Sequence, residues 1–275
     1  MGKIKFKVAI CYDFDGTLAY GNMQEYDFME KLGISPAEFW SKSDTLAAQN
    51  NADSNLTYMW CMLEESRRRA VGFTKQDFMS YGKNIKMFKG AENWFDRINA
   101  YARTLGIEVE HYLLSSGLSE IVEGMPIYDK FTKVYACRFM YDANGVAYWP
   151  AQVVNYTTKT QYLYRISKGC LEEIDKSVNK RIKPEERTIP FKRMLYIGDG
   201  LTDVPCMATL KKFGGYAAAV YTPSKKGNKK IANELLAEGR VDIIAPADYQ
   251  EGSRMDVYVK ALLCKLKAEY DLQNL

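Results

Sequence analysis

Apolar positions along the chain fall into two alternating kinds of run. Val8–Tyr12 is short, continuous and partly β-branched, which predicts a buried strand within the strand-like stretch Ile4 to Phe14. Similar runs at Ile107–Leu114, Met194–Ile197, Tyr216–Tyr221 and Val241–Ile244 predict further strands. Val134–Tyr141 and Val146–Trp149 flank Asp142-Ala143-Asn144-Gly145, the signature of a β-hairpin. Helical spacing predicts helices at Ala91–Leu105, Thr158–Lys176 and Met255–Tyr270.

Between the first strand and Gly90 the pattern is helical throughout. Glu25–Leu32, Pro36–Leu46, Leu56–Arg69 and Thr74–Tyr81 carry that spacing, and Ser35-Pro36 is a strong helix start. A turn-like break separates two of them at Asn50–Asn55. Strands interleaved with helices predict an α/β fold, a doubly wound parallel sheet covered on both faces. The helical stretch 19–89 interrupts that alternation and reads as a small helical cap inserted after the first strand. The expected division is 1–18 with 90–275 as the core and 19–89 as the cap.

In such sheets ligands gather where strands end at their carboxyl termini. Three of the expected strands end in polar sequence: Asp13-Phe14-Asp15-Gly16-Thr17, Ser115-Ser116-Gly117 and Gly198-Asp199-Gly200. Asp13 and Asp15 are two apart, so an extended backbone puts both carboxylates on one face. Gly16 and Thr17 allow a sharp turn with amides suited to a phosphate. Carboxylates gathered at strand ends suit magnesium, which takes oxygen ligands. Each signal has an ordinary structural reading beside it. Asp-x-Asp-Gly also occurs as a polar turn, Asp203 also suits a helix start, and a serine ending a strand is commonly a turn residue. Lys159 and Lys168, at the two ends of one expected helix, compete as the cation of a site.

Composition narrows the chemistry further. The chain has 275 residues, 47% hydrophobic and 26% charged, which is ordinary globular usage. One histidine, His111, stands in the whole chain, so two-histidine metal sites are excluded, and so are histidine triads and histidine general bases unless His111 carries them alone. His111 opens an apolar strand and reads as structural. The six cysteines lack any Cys-x-x-Cys pair, which argues against zinc and a disulfide framework. A net charge of +4, spread along the chain, gives no nucleic-acid footprint, and Lys225, Lys226, Lys229 and Lys230 read as a solvated loop. With no signal-peptide pattern and no apolar stretch long enough to span a bilayer, a cytoplasmic protein with no membrane partner is expected.

Taken in order, Asp13-Phe14-Asp15-Gly16-Thr17-Leu18, Leu113-Leu114-Ser115-Ser116-Gly117, a lysine before a helix, and Tyr196-Ile197-Gly198-Asp199-Gly200-Leu201-Thr202-Asp203 resemble the four signature motifs of the haloacid dehalogenase (HAD) superfamily. The resemblance spans residues 8 to about 207. It implies a HAD-like Rossmannoid core and a magnesium-dependent phosphatase acting on a small phosphorylated metabolite. Asp13 is then the nucleophile, Asp15 the acid and base, and Lys159 the neutralising cation. Ser115 and Ser116, with Gly16 and Thr17, would hold phosphate, and the Asp13 side chain, the Asp15 carbonyl and Asp199 would hold the metal. Asp203 would orient these groups from behind. An acid at Asp15 and a cap after the first motif are similar to the phosphoserine phosphatase branch. Where that branch reads the substrate amine with a glutamate nine residues after the nucleophile, Asn22 stands here, with Glu25 nearby. A phosphotransferase such as a phosphomutase, or a catalytically idle binding protein, are the other readings this fold allows.

Overall fold

A computed structural model describes residues 6–225 and 227–275. Ile4 and Lys5 of the expected first strand, and Lys226 of the lysine cluster, lie outside the described residues. The strands are β1 (Phe6–Tyr12), β2 (Ile107–Leu118), β3 (Lys133–Tyr141), β4 (Ala147–Gln152), β5 (Met194–Gly198), β6 (Tyr216–Tyr221) and β7 (Ile243–Pro246). They form a seven-stranded sheet in the order β4-β3-β2-β1-β5-β6-β7. All neighbours are parallel except the β3/β4 hairpin, so the fold is the α/β sheet that the apolar runs predict. Strand order reverses at β1, whose neighbours β2 and β5 lie on either side. Such a switch point opens a crevice at the carboxyl ends of the strands.

Helices α1 (Asp27–Leu32), α2 (Pro36–Asn50), α3 (Ser54–Arg68) and α4 (Lys75–Tyr81) fill the stretch after β1. Their starts follow from side-chain capping. Ser35 accepts from the Glu38 amide with Pro36 at the first helical position, and Thr74 and Asp77 form a reciprocal capping box. Phe28, Phe39, Phe73 and Phe78 make an aromatic centre for these helices, with ring centroids 4.9–6.2 Å apart.

The later helices are α5 (Ala91–Thr104), α6 (Ser119–Glu123), α7 (Lys159–Lys168), α8 (Val204–Lys212), α9 (Asn228–Ala237) and α10 (Arg254–Leu272). Trp94, Phe95, Ile98 and Ala102 recur at helical spacing on α5 and are fully buried. Truncating a buried tryptophan such as Trp94 costs about 3–5 kcal/mol. The Trp94 indole donates to Tyr12 Oη (2.8 Å), which in turn meets His111 Nδ1 (2.9 Å), while His111 Nε2 faces Asn99 Oδ1 (3.2 Å). Burial lowers the His111 pKa to about 3, so the single histidine is a neutral link in a core chain.

Several boundaries differ from the sequence reading, three of them at the ends of α7, β2 and the last strand. The expected helix Thr158–Lys176 stops at Lys168, because Gly169 turns left-handed at φ +72° and residues 176–179 form only a short separate turn. Strand β2 runs past Leu114 to Leu118, with its register against β3 shifting between those residues, so Ser115-Ser116-Gly117 forms an irregular continuation of the strand. The last strand is Ile243–Pro246, two residues later than Val241–Ile244. Among the described residues no helix is long and apolar enough to cross a membrane.

Candidate active site

The main chain fixes Asp13 first. Its amide donates to Ile197 O (2.9 Å), extending the β1/β5 pairing by one residue and setting Asp13 beside the end of β5. The chain then turns. Gly16 N donates to Ala19 O (2.9 Å) and Thr17 N to Phe14 O (3.1 Å). Both amides are therefore spent inside the turn, which corrects the expectation that they are free to hold an anion. The amides of Phe14 and Asp15 donate to no main-chain carbonyl among the described residues, and the Phe14 amide instead faces the Asp13 carboxylate. Gly16 sits at φ +78°, a conformation glycine adopts without strain.

Lys159, the first residue of α7, is 1% exposed and is the hub of the site. Its ammonium lies 2.6 Å from Asp13 Oδ1 and 2.8 Å from Asp203 Oδ1. Burial alone would push the lysine pKa down, but the two carboxylates outweigh it and hold the group above its usual value. Lys168 plays no part here. Its ammonium donates to the main-chain carbonyls of Val178 and Lys180 and ties down that loop. Of the two candidate lysines, the structure brings Lys159 to the acids.

Asp203 does not cap α8. Its Oδ1 accepts from Tyr196 Oη (2.7 Å) as well as from Lys159, and its Oδ2 accepts from the amides of Asp199 (3.2 Å) and Gly200 (3.4 Å). A β-carbon on Gly198 would stand 2.3 Å from Asp203 Oδ2, so the glycine before Asp199 makes this folded-back arrangement possible. Asp203 thus has its acceptor capacity committed to holding Lys159 and the Asp199 loop.

Asp199 is the opposite case. Carboxylate oxygens of Asp13, Asp199 and Asp203 all lie within 4.8 Å of one another. No hydrogen-bond donor among the described residues reaches the Asp199 carboxylate. Burial, with Asp13 and Asp203 adding negative charge, raises its pKa to about 8. Asp13 is raised to about 6 by burial and Asp203, against the pull of Lys159. An unpartnered carboxylate beside a second one, with oxygen as the donor atom, fits a hard divalent cation. Asp13 and Asp199 are the pair with capacity to spare for it. The Asp15 carboxylate is outside that trio.

Asp15 Oδ1 accepts from the Met23 amide (3.0 Å). Burial first, and then the charge of Asp13, hold its carboxyl well above the usual range, which favours the protonated form. Ser115 is buried, with its Oγ accepting from Gly117 N (2.9 Å) and its own proton left to donate. Ser116 lines the cavity, and Tyr58 of α3 holds its carbonyl (2.7 Å).

These groups open into a cavity of about 260 Å³ that Asp13, Asp15, Lys159 and Asp199 share with Asn22, Ser54, Asn55, Ser116, Tyr156 and Thr202. Sequence reading nominated none of Ser54, Asn55, Tyr156 and Thr202. They meet because Asp53, the α3 cap, accepts from Asn155 Nδ2 (2.6 Å) while Asn55 Nδ2 donates to Val154 O (2.8 Å). Those bonds dock the start of α3 onto the loop that leads to Lys159. Asp53 and Asn155, both strong turn formers, were the signal available.

No family model matches the chain. It is similar to an uncharacterised protein of Borreliella burgdorferi, 28% identical over 281 residues that span 94% of this chain and 96% of that one. Among solved structures, a HAD family hydrolase from Salmonella enterica serovar Typhi matches with a TM-score of 0.59 at 13% identity, over 92% of this chain and 70% of the other. A probable phosphoserine phosphatase from Vibrio cholerae matches with a TM-score of 0.59 at 11% identity, over 97% and 68%. A phosphoserine phosphatase held as a phospho-aspartyl intermediate analogue matches with a TM-score of 0.51 at 18% identity, over 87% and 93%. At these identities the likeness is one of fold: the chain has the HAD-like Rossmannoid architecture.

Proposed function

We propose that this chain is a magnesium-dependent phosphatase that hydrolyses a small phosphate monoester through an aspartyl phosphate on Asp13. The observation that carries the reading is the pairing of Lys159 with Asp13 and Asp203 beside an Asp199 carboxylate that has no donor of its own. A purely structural ion pair has no use for a further, half-buried acid left without a partner.

Asp13 attacks phosphorus as the ester P–O bond breaks, and Asp15 passes its proton to the departing alcohol oxygen. Asp15, now a carboxylate, takes a proton from water as that water attacks the aspartyl phosphate. Orthophosphate leaves and Asp13 regains its carboxylate. Lys159 orients Asp13 and offsets charge on the transferring group, while Asp203 holds Lys159 in place. The Ser115 hydroxyl, Ser116 and the Asp15 amide supply donors for phosphoryl oxygens, with Gly16 and Thr17 shaping the turn that presents them. A magnesium ion held by the Asp13 and Asp199 side chains and the Asp15 carbonyl would neutralise phosphoryl charge.

In this reading residues 19–89 act as a cap over a core made of 1–18 and 90–275. The Tyr58, Asp53 and Asn55 contacts to the core support it. The direct test is a phosphate-release screen of the purified protein across phosphorylated metabolites, with magnesium and with a chelator. Release that requires magnesium supports the reading. Binding of esters without turnover, or transfer to an acceptor with little free phosphate, would replace it by a binding protein or a phosphotransferase.

A further inference from the structure

Resting on the phosphatase reading, we infer that the alcohol released at this site is a short, uncharged polyol, and that the side-chain carbonyls of Asn22 and Asn55 read its hydroxyls. Among the described residues, every charged one that lines the cavity is a group of the phosphoryl-transfer site, Asp13, Asp15, Lys159 and Asp199, while Lys225 acts on Asp199 from outside the lining. What is left for the rest of a substrate is neutral and hydrogen-bonding, namely Asn22, Ser54, Asn55, Tyr156 and Thr202, along with Ser116. A carboxylate or ammonium on the substrate would be drawn from water without a counter-ion to meet it. A wholly apolar alcohol would leave these polar groups unmatched.

The amides also specify which kind of hydrogen bond is on offer. Asn22 Nδ2 donates to Glu25 Oε1 (2.6 Å) and Asn55 Nδ2 to Val154 O (2.8 Å). A carboxylate and a main-chain carbonyl can only accept, so each partner fixes which end of the amide faces it. Each asparagine therefore has its carbonyl oxygen to offer, an acceptor that calls for hydroxyl donors. Ser54, Tyr156 and Thr202 contribute hydroxyls that donate or accept. An ammonium is the other possible donor, and the acids nearest in sequence to balance it are Glu25 beside Asn22 and Asp53 beside Asn55, of which Asp53 is engaged by the α3 amides and Asn155. Glu25 does not line the cavity, and its Oε1 is engaged by both Asn22 and Trp40 Nε1 (2.8 Å). A cavity of about 260 Å³ has space for about nine waters, enough for a phosphoryl group with a short carbon skeleton.

The test compares kcat/KM with magnesium for glycerol phosphate and a hexose 6-phosphate against phosphoserine, phosphoethanolamine and 3-phosphoglycerate, with nitrophenyl phosphate as the reference. The polyol esters should exceed the charged ones by at least about tenfold, the worth of one well-placed hydrogen bond. Asn22→Leu and Asn55→Leu should each lower the ratio of polyol ester to nitrophenyl phosphate by about tenfold. Turnover of nitrophenyl phosphate with the charged esters equal or preferred overturns the inference and leaves the phosphatase reading standing. So does an equal loss on polyol and nitrophenyl esters in both variants. No phosphate from any ester, the nitrophenyl one included, removes the phosphatase reading and this inference with it.

Discussion

A β-carbon on Gly16 would stand 2.2 Å from Asp199 Oδ2. The turn after β1 and the end of β5 thus close on each other so tightly that only a hydrogen fits between them. Two separate strands deliver Asp13 and Asp199 to one point, and Gly16 is the residue that lets them arrive.

Gly16→Ala therefore carries two penalties. The left-handed backbone costs a non-glycine residue about 1–2 kcal/mol, which for a chain of this size lowers Tm by about 2–4 °C per kcal/mol. The added methyl also displaces Asp199. The melting temperature of the variant should fall modestly, while its stabilisation by magnesium should largely vanish. A variant with an unchanged magnesium response would show that Asp199 takes no part in holding the ion.

Asp15→Asn should separate the two halves of the reaction. Loss of general acid–base catalysis costs about 10²–10⁴-fold. With an alkyl phosphate the first step needs the proton, so the whole turnover slows. With nitrophenyl phosphate the leaving group departs unaided, so stopped-flow should show a fast burst of nitrophenol followed by slow steady release. Equal slowing of the first step for both esters would count against the proton-donor role.

The proposed metal site makes ion binding pH-dependent in a definite direction through Asp199. Its pKa, raised from the usual carboxylate value to about 8, means that the metal-free folded protein holds a proton that the unfolded chain releases. That contribution to stability is complete below about pH 4 and is lost as pH rises through about 8. In the proposed site a divalent cation would take the place of that proton. The rise in Tm on adding magnesium should therefore be small near pH 5.5 and larger near pH 8. A larger rise at the lower pH would contradict the cluster described here.

His111 works in the other direction. Its pKa is lowered from 6.5 to about 3, so its neutral form contributes stability above pH 6.5 that is lost as pH falls toward 3. Urea midpoints should decline over that window in the parent protein and less steeply in His111→Asn. Parallel declines would mean that the histidine does not drive acid unfolding.

Much of this was legible in the sequence, for a physical reason. A buried parallel strand needs a short apolar run, and where Val8–Tyr12 or Met194–Ile197 gives way to aspartate and glycine, the carboxyl end of the strand has been reached. Position along a sheet then follows from pattern alone. Boundaries set by one residue were harder: Gly169 ends α7 eight residues before the apolar spacing does. The turn amides needed coordinates, since Gly16 and Thr17 look free until Ala19 and Phe14 are seen to accept from them. The cavity wall was the least legible part. Ser54, Asn55, Tyr156 and Thr202 are far apart in the chain and meet only through tertiary contacts such as the Asp53–Asn155 bond.

The most direct measurement is peptide mass spectrometry of Asp15→Asn, quenched in acid during turnover of nitrophenyl phosphate with magnesium. The proposed site, with the Asp13 and Asp199 carboxylates on one cation and Asp13 also free to accept a phosphoryl group, requires the added phosphoryl mass on the peptide bearing Asp13 and nowhere else, and Asp13→Asn should abolish it. Phosphate released with no such adduct on Asp13, or with the adduct on another residue, would contradict the account.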